Sequence, residues 1–318
     1  MRQFLLAAFA FLAPLPAFAQ KDRVLKARLT QKDRKKLTFR SNGRRPYVIV
    51  IAQVADLRDE RYVLGTITRG HDLRVEKTEA DRYQVWWQGK GVWIDRADVL
   101  PSNEAIDYFT EAIRQQPTAV DFIVRGGLRM GTDPDGALDD FNKAIDLDQS
   151  QASFYDYRGF TWMVKGDFDK ALADFDEAMR LDPTNAMPHD KRGLALRDMG
   201  EFDKALAAFD EAIRLDPKYV AAYCNRARIH ASCPDERFRD GRKAVEDATT
   251  ACKLHSWKDC RSLAFLAAAY AELGEFDKAI ESQKRALEVV PKVGRATFRV
   301  RLELYQAGKP YRDEPVKR

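Results

Sequence analysis

The feature that most constrains the fold is a pattern of small and aromatic residues that repeats every thirty-four positions. Two alanines flank a phenylalanine, and a proline follows at a fixed distance. The two clearest copies comprise Ala171, Phe175, Ala178 and Pro183, then Ala205, Phe209, Ala212 and Pro217. Because a period of about 20 to 50 residues is typical of repeat proteins, the pattern predicts a stack of similar units.

The spacing within each copy predicts a helix that packs closely against its neighbour. Ala171, Phe175 and Ala178 lie at positions i, i+4 and i+7, which form one stripe of a helix. Small residues in that stripe allow a second helix to approach, and Gly159 allows the same approach from the preceding segment. Pro183 ends the pair because proline cannot continue a helix. We therefore expect helical hairpins, each with an apolar face that only the next hairpin can cover.

Weaker copies of the pattern extend the array in both directions. Ala137 and Phe141 begin an earlier copy. Ala279 and Ala286 belong to a later copy, in which Gln283 replaces the phenylalanine. The predicted array is therefore most regular in its middle two repeats.

The spacing also predicts how the array is interrupted and how it ends. The distance from Pro217 to Pro291 exceeds two periods by six residues, which indicates an insertion within residues 232–241 of the fourth repeat. A half-repeat helix is expected at residues 103–116, and a capping helix is expected at residues 295–307.

This arrangement of Gly, Ala, Phe, Ala and Pro resembles the tetratricopeptide repeat (TPR). The resemblance extends over residues 103–291 and implies a mainly α fold, a TPR α-solenoid of antiparallel hairpins, across residues 101–308. Residues 309–318 are expected to form a tail. The Ser-Cys-Pro-Asp sequence at 232–235 and the Gly-Lys-Pro-Tyr-Arg sequence at 308–312 are similar to those of exported bacterial repeat proteins.

Residues 46–100 have a different character, which predicts several short strands. Residues 47–51 form a run rich in β-branched side chains, and residues 83–87 approach the alternation of a strand. Glycines separate these segments as turns. With the Gly-Lys-Gly-Val-Trp sequence at 89–93, this part resembles bacterial Src-homology-three (SH3)-like modules, which implies a small all-β barrel.

The beginning of the chain has the features of a signal peptide at residues 1–19. Arg2 precedes an apolar run at residues 4–13, and a small-x-small cleavage motif follows. The mature chain is therefore expected to begin at Gln20 and to be periplasmic or secreted. Whether the segment is cleaved or kept as an anchor stays open. With eleven Lys or Arg against two Asp, residues 20–45 are interpreted as a solvated basic linker.

The composition favours a folded and soluble mature chain. Of the 318 residues, 45% are hydrophobic and 32% are charged, which argues against a wholly disordered protein. The net charge of +5 is modest for this length, so no nucleic-acid partner is expected. No later segment resembles a membrane span, so no transmembrane segment is expected after signal cleavage.

Candidate binding residues follow from the TPR resemblance, because partners of that family usually lie in the groove lined by the first helix of each hairpin. Carried over by register, the groove positions are Asp156, Phe160, Met163, Asp190, Leu194, Arg197 and Arg228, together with Cys224, Ala264 and Ala268. The mixture of apolar and charged side chains suits a peptide or a helix. The alternative is that partners use the convex face or an end of the array.

The four cysteines (Cys224, Cys233, Cys252 and Cys260) lie in and beside the fourth repeat. An even number in an exported protein permits disulfides, but Cys252 occupies a core register, so no pairing is assigned. Cys252 and His255 have no second ligand pair at the spacing of a structural zinc site. The sequence also lacks phosphate-binding glycine loops and recognisable catalytic signatures. We therefore expect no metal, no cofactor and no enzymatic activity.

These features together predict a non-catalytic scaffold that binds a protein or peptide in the TPR groove. The β module would add a second contact, for example to the cell envelope. The alternative is an accessory, redox or metal-linked function in the cysteine-rich fourth repeat.

Overall fold

The computed structural model describes the chain from the β module onwards with short gaps, and it divides the chain into two compact units. The described residues are 47–50, 54–58, 63–68, 72–79, 82–87, 90–95, 99–291 and 294–314. The units are residues 1–161 and residues 162–318. The predicted signal peptide and basic linker, as well as residues 315–318 of the tail, lie outside the described residues.

Unit 1 begins with seven short antiparallel strands. They are β1 (Tyr47–Val50), β2 (Val54–Arg58), β3 (Val63–Thr68), β4 (Asp72–Thr78), β5 (Arg82–Trp87), β6 (Lys90–Asp95) and β7 (Val99–Pro101). Their order in the sheet is β3-β2-β6-β5-β4-β1-β7. The predicted strands are therefore present in the described residues, whereas closure of the sheet into a barrel is not shown.

Both faces of the β5–β6 hairpin are covered. Val85 and Ile94 lie on one face and are almost fully buried. Trp93 lies on the opposite face, where the Arg82 guanidinium stacks 4.3 Å from the centre of its ring. The β-branched residues Val85 and Ile94 are therefore buried on one face of this hairpin, and Trp93 is buried on the other.

Twelve α-helices follow in the described part of the chain. They are α1 (Ser102–Gln115), α2 (Ala119–Arg129), α3 (Pro134–Leu147), α4 (Ala152–Lys165), α5 (Phe168–Leu181), α6 (Ala186–Asp198), α7 (Phe202–Leu215), α8 (Val220–Ser232), α9 (Gly241–Leu254), α10 (Cys260–Glu272), α11 (Phe276–Val289) and α12 (Arg295–Gln306). None of the described helices is both long and apolar enough to cross a membrane. The boundary between the two units falls inside α4.

Short turns separate the two helices of a hairpin, and their glycines adopt the left-handed conformation. Gly166 and Gly200 each have a φ of 84°, which residues with a side chain rarely adopt. The amide after each glycine returns to the end of the preceding helix, so that Asp167 donates to the Trp162 carbonyl at 3.0 Å. The chain therefore turns at Gly166 and Gly200 between the two helices of a hairpin.

The close approach predicted from the alanines and glycines is also present. A Cβ atom on Gly193 would lie 2.5 Å from Cε1 of Phe209, so the helix α6 can approach the Phe209 ring only because residue 193 is glycine. In unit 1, Gly126 meets Phe141 in the same way at 2.6 Å. The repeating Gly–Phe contact is therefore what sets the distance between the two helices of a hairpin.

The predicted interruption and ends of the array are present in the structure. Helix α8 ends at Ser232 and α9 begins at Gly241, with a short 3₁₀ turn at Glu236–Phe238 between them. Helix α1 forms the half-repeat, and α12 forms the cap. Gln283, which replaces the repeat phenylalanine, is fully buried and donates its amide to the Phe298 carbonyl of α12 at 2.8 Å.

Candidate functional site: the groove of unit 2 and the strap that lies in it

The sequence-predicted groove residues are distributed over both units. Asp156 and Phe160 lie on α4 in unit 1, whereas Met163, on the same helix, belongs to unit 2. Asp190, Leu194 and Arg197 lie on α6, and Arg228 lies on α8. The structure brings Arg197 and Arg228 close enough for each charge to influence the other. The site described below is confined to the first helices of unit 2, namely α6, α8 and α10.

Several predicted groove positions prove to be part of the core. Ala264 and Ala268 of α10 are buried, and both pack into apolar clusters between hairpins. Cys224, predicted to point toward the groove, is also buried, with its Sγ 3.5 Å from the Ser262 Oγ. Leu194 packs partly against the core. Fewer residues therefore line the groove than the register predicts, because its small residues are used for helix packing.

Asp190 is a buried carboxylate on the groove side of α6. Only 4% of its surface is exposed. The Asn225 side-chain amide donates to its Oδ1 at 2.8 Å. Burial raises the pKa of Asp190 to about 6, although the bond from Asn225 favours the charged form. The ionised form of Asp190 is therefore energetically disfavoured in this face.

The remaining groove is occupied by the chain itself. Residues 307–314, which follow α12 and are called the strap here, run back across α8 and α10. Helix α12 ends in a turn in which Lys309 donates to the Leu304 carbonyl at 2.9 Å and Gly308 has a φ of 65°. Pro310 then prevents a return to helix, so the chain leaves α12 in an extended form.

Asp313 of the strap binds the predicted groove residue Arg228. The guanidinium donates to both carboxylate oxygens, from Nε at 2.9 Å and from Nη2 at 2.8 Å. The Ser232 hydroxyl donates to the same carboxylate at 3.1 Å, and the Asp313 amide donates to the Ser232 carbonyl at 2.8 Å. Burial opposes ionisation of Asp313, but Arg228 and Ser232 outweigh it and hold its pKa below the ordinary value.

Arg312 of the strap makes the complementary contact of opposite sign. Its guanidinium pairs with Glu272 of α10, which also accepts from Arg239 Nε at 3.2 Å. Arg312 donates in addition to the Ala231 carbonyl at the end of α8. Neighbouring strap residues therefore bind oppositely charged groups on two different helices, which fixes the register of the strap.

Tyr311 anchors the strap through apolar contacts. Its ring packs with Ala267, Ala271 and Tyr305 between α10 and α12. The Arg301 guanidinium lies 4.1 Å from the centre of the ring. The strap is thus held by one aromatic side chain, two ion pairs and a backbone hydrogen bond.

The strap residues were not among the predicted site residues. The sequence identifies residues 309–318 only as a tail, because Gly308 and Pro310 mark the end of a helix. Nothing in the repeat pattern relates Asp313 to Arg228, since the strap occurs once and lies outside the period.

A buried ion pair supports α8 behind this face. Arg226 Nε donates to Asp247 of α9 at 2.8 Å, and Asp247 is 3% exposed. The bonds to Asp247 outweigh burial and raise the pKa of Arg226. In the preceding hairpin, Ala208 stands at the position equivalent to Asp247. Arg192, which is equivalent to Arg226, therefore pairs with the exposed Asp176 instead.

The four cysteines in and beside the fourth hairpin are free thiols. Cys224, Cys233 and Cys252 are buried, and Cys260 is partly exposed. Burial raises the pKa of Cys224 to about 11 and that of Cys252 to about 12, which disfavours the thiolate needed for redox chemistry or metal binding. Within the described ranges, no three His, Cys, Asp or Glu side chains are grouped as metal ligands would be.

Three segments of the chain match known family profiles. Residues 152–185 and 261–292 match profiles described as tetratricopeptide repeat, and residues 193–232 match one described as TPR repeat. A comparison with curated protein sequences finds no match.

Solved structures share the helical architecture. The structure of the APC/C hetero-tetramer Cut9-Hcn1 aligns with a TM-score of 0.56 and 16% identity over 65% of this chain and 40% of the other, so the chain spans less than half of that relative. TTC0263, a thermophilic TPR protein of Thermus thermophilus, aligns with a TM-score of 0.46 and 18% identity, covering 65% and 99%. YrrB, described as a TPR protein with an unusual peptide-binding site, aligns with a TM-score of 0.43 and 21% identity, covering 61% and 98%.

The profile matches agree with the Gly–Phe contacts, the glycine turns and the paired helices described above. The alignment with Cut9-Hcn1 supports the same fold. The helical part of the chain is therefore built from tetratricopeptide repeats.

Proposed function

We propose that the chain is a non-catalytic scaffold that binds a protein or peptide in the groove formed by the first helices of its TPR hairpins. The observation that carries the proposal is the strap. An extended segment already lies across α8 and α10 and uses the predicted groove residue Arg228. The polar groups that hold this segment are therefore also available to an extended peptide of similar chemistry.

Affinity capture from an envelope fraction tests the groove. Immobilised wild-type protein should retain specific proteins. An Arg228→Glu variant should retain smaller amounts of them, because the new carboxylate repels the negatively charged groups that the guanidinium attracts. Arg214→Gln is a matched control, since Arg214 pairs with Glu211 on the exposed side of α7. Equal retention by the wild-type protein and the Arg228→Glu variant would exclude this groove as the binding site.

We also propose that the protein is exported and acts in the periplasm or cell envelope. The support is the signal-peptide pattern of residues 1–19, with cleavage before Gln20. N-terminal sequencing of protein recovered from fractionated cells would test both points. A chain that begins at Met1 and remains in the cytoplasmic fraction would contradict export.

The β module is proposed to be SH3-like and to contact the envelope or a second protein. The support is the antiparallel order of its strands, with β1 between β4 and β7, and the burial on both faces of the β5–β6 hairpin. Removing residues 46–100 should lower retention on envelope fragments while leaving groove-dependent capture unchanged. Unchanged retention would argue against this role.

A further inference from the structure

The strap contacts the groove in the manner of a bound peptide. It contributes one aromatic side chain, two charged side chains and a backbone amide, and each has a defined partner on α8, α10 or α12. The two charges are complementary to the groove, because Asp313 meets a guanidinium and Arg312 meets a carboxylate. Such contacts are specific, and another segment with the same chemistry would be able to replace them.

In the described part of the chain, removal of the strap would leave Arg228 without an ion-pair partner but would not do so for Glu272. Glu272 would keep Arg239 as a partner. Within the described residues, Asp313 is the one carboxylate within ion-pair distance of Arg228. Arg197, which pairs with its neighbour Asp198, adds a second partly buried cation beside Arg228. An open groove would therefore leave the partly buried guanidinium of Arg228 without the carboxylate that binds it.

We infer that the strap is an intramolecular occupant of the binding groove, and that the partner is a protein with an extended acidic segment whose carboxylate replaces Asp313 on Arg228 and Ser232. This inference rests on the proposed groove-binding function and adds the chemistry of the partner and the control of access. An acidic segment is favoured because it restores the bidentate pair that the departing strap breaks. Only the fraction of molecules with a released strap binds, so the strap lowers the apparent affinity.

A labelled peptide tests the inference with the full-length chain. The probe is a fluorescent synthetic peptide of residues 307–318, added in trans and followed by fluorescence anisotropy. The double variant Arg312→Gln/Asp313→Asn releases the strap, because it removes both of its charges while changing little in size. We expect this variant to bind the probe at least tenfold more tightly than the wild-type chain does.

Two control variants locate the binding. Adding Arg228→Gln to the released chain should lower the affinity for the probe at least tenfold, and a probe with Asn in place of Asp313 should bind correspondingly weakly. Arg214→Gln, which removes an exposed guanidinium on α7, should leave binding unchanged. Circular dichroism before each titration identifies any variant that does not fold.

A second measurement does not depend on the folding of the released variant. The Asp313 amide of the wild-type chain donates to the Ser232 carbonyl, so its hydrogen exchange should be slowed. Saturation with the unlabelled peptide of residues 307–318 should accelerate that exchange at least tenfold, because the Asp313 carboxylate of the peptide displaces that of the strap. An unchanged exchange rate at saturation would overturn the inference.

The titration separates failure of the inference from failure of the proposed function. Equal, Arg228-dependent affinity in the wild-type and released chains would show a functional groove that the strap does not obstruct. If the affinity for the probe does not depend on Arg228, or if the released chain does not bind the probe, the inference that the partner has an acidic segment is refuted. Capture of envelope proteins would still test the proposed scaffold function in that case. Dimers formed by exchange of straps, measured by light scattering, would make a second copy the occupant and would also overturn the inference.

Discussion

Replacement of Asp190 by Asn should stabilise the protein and should do so in a pH-dependent manner. The carboxyl is 4% exposed, and burial raises its pKa to about 6. The charged groups that lower the pKa in return are Lys191, Arg197 and Arg261, and Asn225 donates a hydrogen bond. Asn is nearly isosteric with Asp and keeps an oxygen that accepts this bond, so the change removes the charge while leaving the packing intact.

The magnitude follows from the difference between the folded and unfolded pKa. The folded value lies about two above the ordinary value of 3.8, so ionised Asp190 lowers the free energy of unfolding at pH 7.5 by up to ~3 kcal/mol. The folded state binds the proton more tightly than the unfolded state does. Stability therefore falls as the pH rises from about 4 to about 6 and changes little above. At pH 5 the effect is roughly half as large, because the folded carboxyl is mostly protonated.

Urea denaturation followed by circular dichroism at 222 nm provides the assay. We expect Asp190→Asn to raise the free energy of unfolding by about 1–3 kcal/mol at pH 7.5 and by about half as much at pH 5. The matched control is Glu246→Gln, which neutralises an exposed side chain on α9. Its effect should stay within about 0.5 kcal/mol at both pH values.

Two outcomes would refute the reasoning. If Asp190→Asn destabilises the protein at pH 7.5, the charge of Asp190 is stabilised by its surroundings more than burial penalises it. If the variant stabilises equally at pH 5 and pH 7.5, the gain comes from packing or hydrogen bonding and has nothing to do with ionisation.

Three further changes test the packing and the buried charges. Gly193→Ala should lower the free energy of unfolding by about 1–3 kcal/mol in the same assay, because the added Cβ would lie 2.5 Å from the Phe209 ring. Asp247→Ala should lower it by about 2–3 kcal/mol, because the buried side of Arg226 then lacks a carboxylate. In native protein at pH 8, Cys260 should react first with a colorimetric disulfide reagent, because the other three thiols are buried.

Each of these expectations has a clear contrary result. Gly131→Ala is the matched control for the glycine change, since a Cβ there meets no atom within 4 Å. Equal effects at Gly193 and Gly131 would show that the Phe209 ring moves aside freely. A loss below about 0.5 kcal/mol for Asp247→Ala would show that Arg226 is adequately hydrated. Rapid reaction of Cys252 would mean that the fourth hairpin opens in the native state.

The hairpins were predictable from the sequence because their contacts are local and recur. Gly193 and Phe209 are sixteen residues apart, and the same pair of residue types meets again at Gly126 and Phe141. Gly126 and Phe141 are fifteen residues apart, and a contact that repeats at nearly the same spacing leaves a periodic trace in the sequence. The insertion before Gly241 was predictable for the same reason, as a break in that period.

The environment of the groove was not predictable in this way. The register places Asp190 and Arg228 on the groove side, but it does not reveal that the first is buried or that the second binds the strap. Asp313 and Arg228 are 85 residues apart and meet once, so no spacing in the sequence connects them. Ala264 and Ala268 were assigned to the groove because the register cannot distinguish a lining position from a packing position.

The strap also has a consequence for how this part of the molecule unfolds. In an array whose repeats contact only their neighbours, the terminal hairpins usually fray first and independently. Here the bond between Asp313 and Arg228 closes the stretch from α8 to α12 into a loop, so the last helices cannot separate without breaking it. We expect α8 through α12 to open as one cooperative unit. Displacement of the strap by a partner would then allow the last helices of the array to unfold locally.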